Sequence, residues 1–132
     1  MLFSLKNKTA VVTGGSSGIG KAIASLFLQQ GAEVHVVDLT AEGAEVNNHI
    51  CDITNQGEVD KVFKSIGKVD ILVNNAGIAH VGRADNTSEE DFDRIINVNV
   101  KGAYNCIHAA IPLMKKSGGG VILNLGSVAA FL

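Results

Sequence analysis

At residues 13–20 the chain reads Thr-Gly-Gly-Ser-Ser-Gly-Ile-Gly, and its neighbours predict a turn between a strand and a helix. Residues 9–12 are apolar and β-branched, as in a buried strand. Residues 21–30 form an amphipathic run that ends at the stop signal Gly31. The apolar face predicted for this helix consists of Ile19, Ala22, Ile23, Leu26 and Phe27.

The glycines of this turn indicate a binding role. Gly14, Gly18 and Gly20 permit positive φ and let backbone N–H groups approach a ligand closely. The N-terminus of the following helix carries partial positive charge and unpaired donors. The turn is therefore a candidate pyrophosphate site, and the alternative is a purely structural loop.

A carboxylate ends the next predicted strand. Residues 33–38 read as a second buried strand, and Asp38 lies 18 residues after Gly20. This spacing is near that of an acid that accepts hydrogen bonds from an adenosine ribose. A carboxylate there would repel a 2′-phosphate, and no Lys or Arg lies between Gly14 and Gly20 to attract one. These features favour NAD over NADP; the alternatives for Asp38 are a solvated loop residue or a helix N-cap.

The composition describes a single globular domain, residues 1–132, without strong charge. The formal net charge is −2, so neither nucleic acid nor an anionic membrane is expected as a partner. No apolar run reaches the length of a membrane span, and the first eight residues lack the order of a signal peptide. Cys51 and Cys106 are expected to be reduced core thiols of a cytoplasmic protein. The four histidines lack the spacing of metal ligands, so no metal site is expected.

Downstream, strand-like and helix-like runs alternate, which indicates right-handed βαβ crossovers and a parallel sheet of the α/β class. The predicted strands cover residues 49–52, 69–73 and 121–125. One helix is capped at Thr54 or Asn55 and ends at Gly67. A longer helix begins at Ser88, is kinked or ended by Pro112, and is closed by Lys115 and Lys116 before the glycines at 118–120.

The buried stripe predicted for the longer helix contains a polar residue. Its apolar members are Phe92, Ile95, Ile96, Val100, Ala103 and Ile107. Asn99 falls within the stripe, and an unpartnered amide on an apolar face costs roughly 1–3 kcal/mol. Asn99 is therefore either part of a polar network or a site residue.

Four stretches in this order resemble the short-chain dehydrogenase/reductase family. Residues 13–20 resemble its Thr-Gly-x-x-x-Gly-x-Gly turn, and residues 74–77 its Asn-Asn-Ala-Gly motif. Residues 98–102 resemble the segment around its active-site Asn, and residues 123–127 the strand end with its catalytic Ser. The resemblance covers essentially the whole chain. It implies a doubly wound, Rossmann-like parallel sheet with the strand order 3-2-1-4-5, the C-terminal strands of the family being missing.

The resemblance also implies a function: hydride transfer between a nicotinamide cofactor, NAD(P), and an alcohol or carbonyl substrate. By analogy Ser127 would hydrogen-bond the substrate oxygen, and Asn99 would hold a water in a proton relay. Asp52 would contact adenine, and Ser17, neutral where NADP-dependent members are often basic, agrees with NAD. The residues expected to bind the cofactor are Gly14, Ser16, Ser17, Gly18, Ile19, Gly20, Asp38, Asp52, Ile53, Asn75, Ala76 and Gly77, the last three on its nicotinamide-side ribose. The family usually forms dimers or tetramers, which implies a homo-oligomer.

This sequence does not contain the Tyr-x-x-x-Lys motif that follows the catalytic Ser in the family. The only tyrosine, Tyr104, precedes Ser127 and is expected to be a buried or half-buried helix residue. The apolar residues 128–132 and the unpaired edge of the fifth strand suggest the N-terminal portion of a longer polypeptide. We therefore expect the 132-residue chain alone to lack turnover. The alternative is a dinucleotide-binding module that does no chemistry.

Overall fold

Five parallel strands form the sheet of the computed structural model, which describes residues 2–131. The strands are β1 Thr9–Thr13, β2 Glu33–Asp38, β3 Asn47–Ile50, β4 Ile71–Asn74 and β5 Val121–Asn124. Their order in the sheet is β3-β2-β1-β4-β5, and every neighbouring pair is parallel. The predicted doubly wound α/β sheet and its strand order are therefore confirmed.

Helices cover both faces of the sheet. They are α1 Gly18–Gln29, α2 Gln56–Ile66, α3 Glu89–Ile96 and α4 Gly102–Lys116. Residues Asn97–Lys101 wind as a π-helix between α3 and α4, and Val128–Phe131 form a 3-10 turn after β5. No helix among residues 2–131 has the length and apolar character needed to span a membrane.

Successive side chains of the central strands point to opposite faces of the sheet, and each face packs into its own hydrophobic core. Val11 and Val37 point toward α2 and α4, where they pack with Phe63 and Cys106. On the opposite face, the neighbouring side chains of β1 and β2 pack around Ala24 of α1. Because both faces of a parallel sheet are covered, these strands read as nearly continuous apolar runs.

The predicted caps of α2 and α3 are confirmed. Asn55 accepts a hydrogen bond from the backbone N–H of Glu58 at 3.1 Å, and Ser88 accepts one from Asp91 at 3.1 Å. Gly67 ends α2 with a φ of 79°, a conformation that glycine adopts without a Cβ clash.

The predicted bounds of β3 and the predicted buried face of α1 are wrong. β3 is Asn47–Ile50 rather than residues 49–52. Asp38, the last residue of β2, pairs with Ile50, so the strand ends there. The buried face of α1 contains Gly20 and Ala24, whereas Ile19 and Leu26 are 66% and 53% exposed. The side of α1 that packs on the sheet is therefore shifted by about one residue from the predicted apolar stripe.

The long helix differs most from its prediction. Phe92 and Val100 are each 57% exposed, and the fully buried residues are Asn105, Cys106, Ala110 and their neighbours on α4. The π-helical segment inserts a wider turn, so one 3.6-residue period does not extend across α3 and α4. Tyr104, expected to be buried or half-buried, is 55% exposed. Pro112 does not end the helix, because packing on both sides holds it in place, and the predicted close at Lys116 is confirmed.

A fully buried amide on α4, absent from the predicted site residues, joins this helix to the segment after β3. Asn105 donates from Nδ2 to the carbonyl of Ile53 at 2.8 Å and accepts at Oδ1 from Gln56 Nε2 at 3.2 Å. Since the carbonyl of Ile53 is bonded inside the core, removal of the amide leaves it without this partner.

We predict that Asn105→Ala lowers the free energy of unfolding by roughly 1–3 kcal/mol, the cost of leaving a buried polar group unpaired. Urea denaturation followed by circular dichroism measures the change. His108→Ala, on the exposed side of the same helix, is the control and should change little. Equal urea midpoints for the two variants would contradict the assigned role.

Candidate functional site

The carboxyl ends of β1, β2 and β4 open onto a cavity of about 380 Å³. Parallel α/β sheets bind ligands at this edge. The predicted cofactor residues that line the cavity are Gly14, Ser17, Ile19, Asp38, Asp52, Ile53, Asn75, Ala76 and Gly77. The remaining three, Ser16, Gly18 and Gly20, do not line this cavity.

The glycine turn adopts the shape that its composition predicts. Gly14 and Gly18 have φ angles of 65° and 55°, in the left-handed region. A Cβ on Gly20 would collide with Asn75 Nδ2 and the carbonyl of Gly14, so glycine lets α1 start close against the turn.

The start of α1 fits a bound anion. Ser17, the N-cap residue, makes no side-chain capping hydrogen bond, so it leaves the first-turn N–H groups of α1 without this partner. The position that a Cβ of Gly18 would occupy has no atom within 4 Å, which leaves the approach open. A pyrophosphate matches these donors in charge and in access.

Thr13 and Asn75 hold the turn against the end of β4. Thr13 Oγ1 accepts hydrogen bonds from the backbone N–H groups of Asn75 and Ala76, both at 3.0 Å. Asn75 Nδ2 in return donates to the carbonyls of Thr13 and Gly14, both at 3.1 Å. The side chain of Asn75 therefore braces the turn while its residue lines the cavity.

Asp38 bridges the end of β2 and the glycine turn. Its Oδ1 accepts from the N–H of Leu39 at 2.7 Å, and its Oδ2 from the N–H of Ser16 at 3.1 Å. No helix begins in residues 39–46, which excludes the N-cap alternative for Asp38. The hydroxyl of Ser16, a buried residue, donates to the carbonyl of Thr40 at 2.9 Å. This side chain thus secures the loop after β2 rather than the cavity wall.

The far wall of the cavity comes from the segment after β3. Asp52 Oδ1 accepts from the N–H and the hydroxyl of Thr54, at 3.0 and 2.7 Å. Burial raises the pKa of the neighbouring Cys51 thiol to about 11, and the carboxylates of Glu58 and Asp52 add to the effect. Cys51 therefore remains a protonated thiol at neutral pH.

The second thiol lies deeper in the core. Burial, with a smaller effect from Cys51, raises the pKa of Cys106 to about 12. Both cysteines are buried and free, which confirms the prediction of unpaired core thiols.

A second cavity, of about 600 Å³, continues from the first. The two share the wall formed by Ile53 and residues 75–77. Asn99 and Ser127, which the sequence separates by two elements, both line this second cavity. Ser127 is exposed, and its Oγ accepts a hydrogen bond from the N–H of Ala129 at 3.1 Å.

Asn99 lies in the π-helical segment and is bonded to the loop after β4. Its Nδ2 donates to the carbonyl of Ile78, and its Oδ1 accepts from the N–H of the same residue, both at 2.8 Å. The amide thus belongs to a polar network, one of its two alternatives, and it also lines the cavity.

The predicted site residues omit an amide pair in this second cavity. Asn74 Nδ2 donates to Asn124 Oδ1 at 2.9 Å, at the position where β4 and β5 end side by side. Each Asn ends an apolar strand, which is the signal by which the sequence could have identified the pair. Tyr104 also lines this cavity.

Comparison with known proteins gives a consistent result. The family model described as short chain dehydrogenase matches residues 8–132. An uncharacterized oxidoreductase of Thermotoga maritima is 39% identical and aligns with 98% of this chain and 57% of its own length. D-threitol dehydrogenase of Mycolicibacterium smegmatis is 38% identical and aligns with 97% of this chain and 55% of its own length.

Solved structures agree with the sequence comparison. The ligand-free aldohexose dehydrogenase of Thermoplasma acidophilum superposes with a TM-score of 0.92 at 37% identity, over 96% of this chain and 51% of that chain. The chain thus spans little more than half the length of the proteins it resembles. On the family match, the sequence identity and the shared fold, this chain belongs to the short-chain dehydrogenase family.

Proposed function

We propose that this chain provides the cofactor side of an oxidoreductase that transfers a hydride between NAD and an alcohol or carbonyl substrate. The observation that carries the proposal is the wall shared by the two cavities, Ile53 and residues 75–77. A dinucleotide that lies along the first cavity reaches the second at this wall, beside Asn99 and Ser127. Family membership supports the reaction class.

In this proposal each part of the first cavity binds one part of the cofactor. The N-terminus of α1 holds the pyrophosphate through its free N–H groups. Asp38 accepts hydrogen bonds from the adenosine ribose, since its carboxylate retains acceptor capacity beyond its two backbone partners. Asp52 and Ile53 flank the adenine, and residues 75–77 contact the second ribose.

The second cavity binds the substrate. When bound, the nicotinamide ring supplies or accepts the hydride. Ser127 donates its hydroxyl proton in a hydrogen bond to the substrate oxygen and so polarises a carbonyl group. Asn99 keeps one amide hydrogen beyond its bond to Ile78, and this hydrogen holds a water that carries protons to and from the site.

We assign no acid–base role to Tyr104. Tyr104 lines the second cavity, but its ring is 55% exposed and lies against His108 rather than a lysine, with 5.7 Å between the ring centroids. The general base of the family, a tyrosine whose pKa a nearby lysine lowers, has no counterpart in residues 1–132.

Cofactor choice tests the role of Asp38. We predict that the chain binds NAD at least roughly tenfold more tightly than NADP, because a carboxylate near a 2′-phosphate costs roughly 1–4 kcal/mol. In Asp38→Ala and Asp38→Asn the ratio of the NADP dissociation constant to the NAD dissociation constant should fall below about threefold. Isothermal titration of the chain with each cofactor measures both dissociation constants.

Two variants separate charge from structure in this test. Asp38→Asn removes the charge and retains an acceptor for the N–H of Ser16. Asp85→Ala removes an exposed acid on a distant loop and should leave the ratio unchanged. An unaltered ratio in both Asp38 variants would exclude Asp38 as the selecting residue.

Turnover tests the role of Ser127. In an active protein that contains this chain, Ser127→Ala should lower kcat roughly 100-fold or more, because it removes a donor to the reacting oxygen. The NAD dissociation constant should stay within about twofold, since the serine contacts substrate rather than cofactor. Ser65→Ala, in α2, is the matched control. A protein that binds NAD but oxidises no alcohol in either form would instead indicate the non-catalytic binding module.

We further propose that two copies pair through the outer side of α3 and α4. Phe92 and Ile96 are 57% and 39% exposed on α3, and Val100 and Tyr104, 57% and 55% exposed, continue the stripe at four-residue spacing to the edge of the second cavity. A long apolar stripe of this kind is self-complementary when a second copy packs against it around a twofold axis.

We predict that Phe92→Asp combined with Ile96→Asp converts the dimer to a monomer, because each carboxylate would be buried unpaired in the contact. Analytical ultracentrifugation at micromolar concentration measures the mass. Leu26→Asp, on the exposed side of α1, is the control and should remain dimeric. A monomeric wild-type chain would contradict the pairing.

A further inference from the structure

Two histidines and a glutamate form a hydrogen-bonded chain across β2 and β3, outside both cavities. His35 Nδ1 lies 2.9 Å from His49 Nε2, and His35 Nε2 lies 2.9 Å from Glu33 Oε1. The ring centroids lie 5.2 Å apart with an angle of 26° between the ring planes, so the rings meet edge to edge through this hydrogen bond. His35 is buried and His49 is partly buried. The sequence offered no sign of this pairing, because the three residues lie on two strands.

The chain of hydrogen bonds accommodates one added proton but not two. In the neutral pair one ring donates and the other accepts. A first added proton leaves one donor facing one acceptor between the rings, whichever ring holds it. A second would turn both facing nitrogens into donors, break the bond between them and place two positive rings in contact.

Burial and nearby charge also disfavour protonation of both rings. Burial lowers the pKa of His49 below its ordinary value of 6.5, and the charge of His35 lowers it further. Lys8 and Lys68 lie near Glu33 at the lower edge of the sheet. The charged residues of α2, the helix on this side of the sheet, include Glu58, Asp60, Lys61 and Lys64. Of these groups only His35 shifts the pKa of His49.

The pair bears on the first cavity through β3. Within residues 2–131, β3 is an edge strand of four residues that pairs with β2 alone. Its last contact with β2 is the hydrogen bond from the N–H of Cys51 to the carbonyl of Asp38, at 2.9 Å. The next two residues, Asp52 and Ile53, line the cavity. The register of β3 therefore sets the position of that wall.

We propose that His49 is a positioning residue for the adenine side of the cavity: its bond to His35 holds β3 in register, and protonation of both rings loosens β3 and weakens dinucleotide binding. This inference rests on the proposed function for the identity of the ligand, NAD, but not for the behaviour of the histidine pair.

The direction of the pH effect follows from linkage. Because the pKa of His49 is lower in the folded chain than the ordinary 6.5, the unfolded chain binds more protons between the two values. The contribution of His49 to the free energy of unfolding is therefore greatest above about pH 6.5. It falls as the pH drops from there toward the pKa of the folded chain.

Unfolding in urea at pH 7.5 and pH 5.0 tests the pair without any ligand. We expect the wild-type urea midpoint to fall more between these pH values than that of His49→Gln, whose amide hydrogen-bonds but does not titrate. In His35→Gln burial still lowers the pKa of His49, so the midpoint of this variant should fall by an amount between those of wild type and His49→Gln. His108→Gln, exposed on α4, should behave as wild type. An equal fall in wild type and both pair variants would overturn the inference.

NAD titration at the same two pH values tests the positioning role. From pH 7.5 to pH 5.0 the NAD dissociation constant should rise roughly threefold or more in wild type and less than about twofold in His49→Gln, because the form with the histidine pair intact is the one that binds NAD. Equal rises in the two proteins would overturn the positioning role while leaving the proposed function intact. If wild type bound no NAD at either pH, the proposed function would fail and the positioning role with it, whatever the unfolding data showed.

Discussion

One hydroxyl group, that of Thr13, holds together the parts of the molecule that form the site. It is 1% exposed and accepts hydrogen bonds from two successive N–H groups, those of Asn75 and Ala76. These N–H groups lie where the chain leaves β4 and has no further strand partner, so an unmet bond would cost free energy in the core. The bonds fix the distance between the exits of β1 and β4. The cavity between those exits depends on that distance.

Side-chain amides likewise hydrogen-bond the backbone groups at other strand and loop ends. Asn75 bonds the carbonyls of the glycine turn, Asn99 bonds both backbone groups of Ile78, and Asn105 bonds the carbonyl of Ile53. Each amide offers a donor and an acceptor where regular pairing stops. The walls of both cavities are therefore held by side chains rather than by continued secondary structure, and ligand groups meet a surface that is already ordered.

Exposed apolar side chains line the first cavity together with Asp38. Ile19 and Leu39 are 66% and 69% exposed, yet both line the first cavity on either side of the carboxylate. Exposed apolar side chains in a concave site are typical of a surface that a flat, partly apolar ligand covers. This arrangement fits the adenosine group of the cofactor that we propose for this cavity.

The sequence by itself determined the order of strands and helices, the caps at Asn55 and Ser88, and the glycine turn, because periodicity, capping and positive φ are local properties of neighbouring residues. It also indicated most residues of the first cavity, since motifs at strand ends meet at one edge of a parallel sheet. Only the tertiary structure decided which side of α1 and of α3–α4 is buried, because a π-helical turn and the docking of a helix change its phase by a residue. It alone revealed the inward roles of Ser16 and Asn105 and the pairing of His35 with His49, since these contacts join residues whose separation along the chain carries no period or spacing rule.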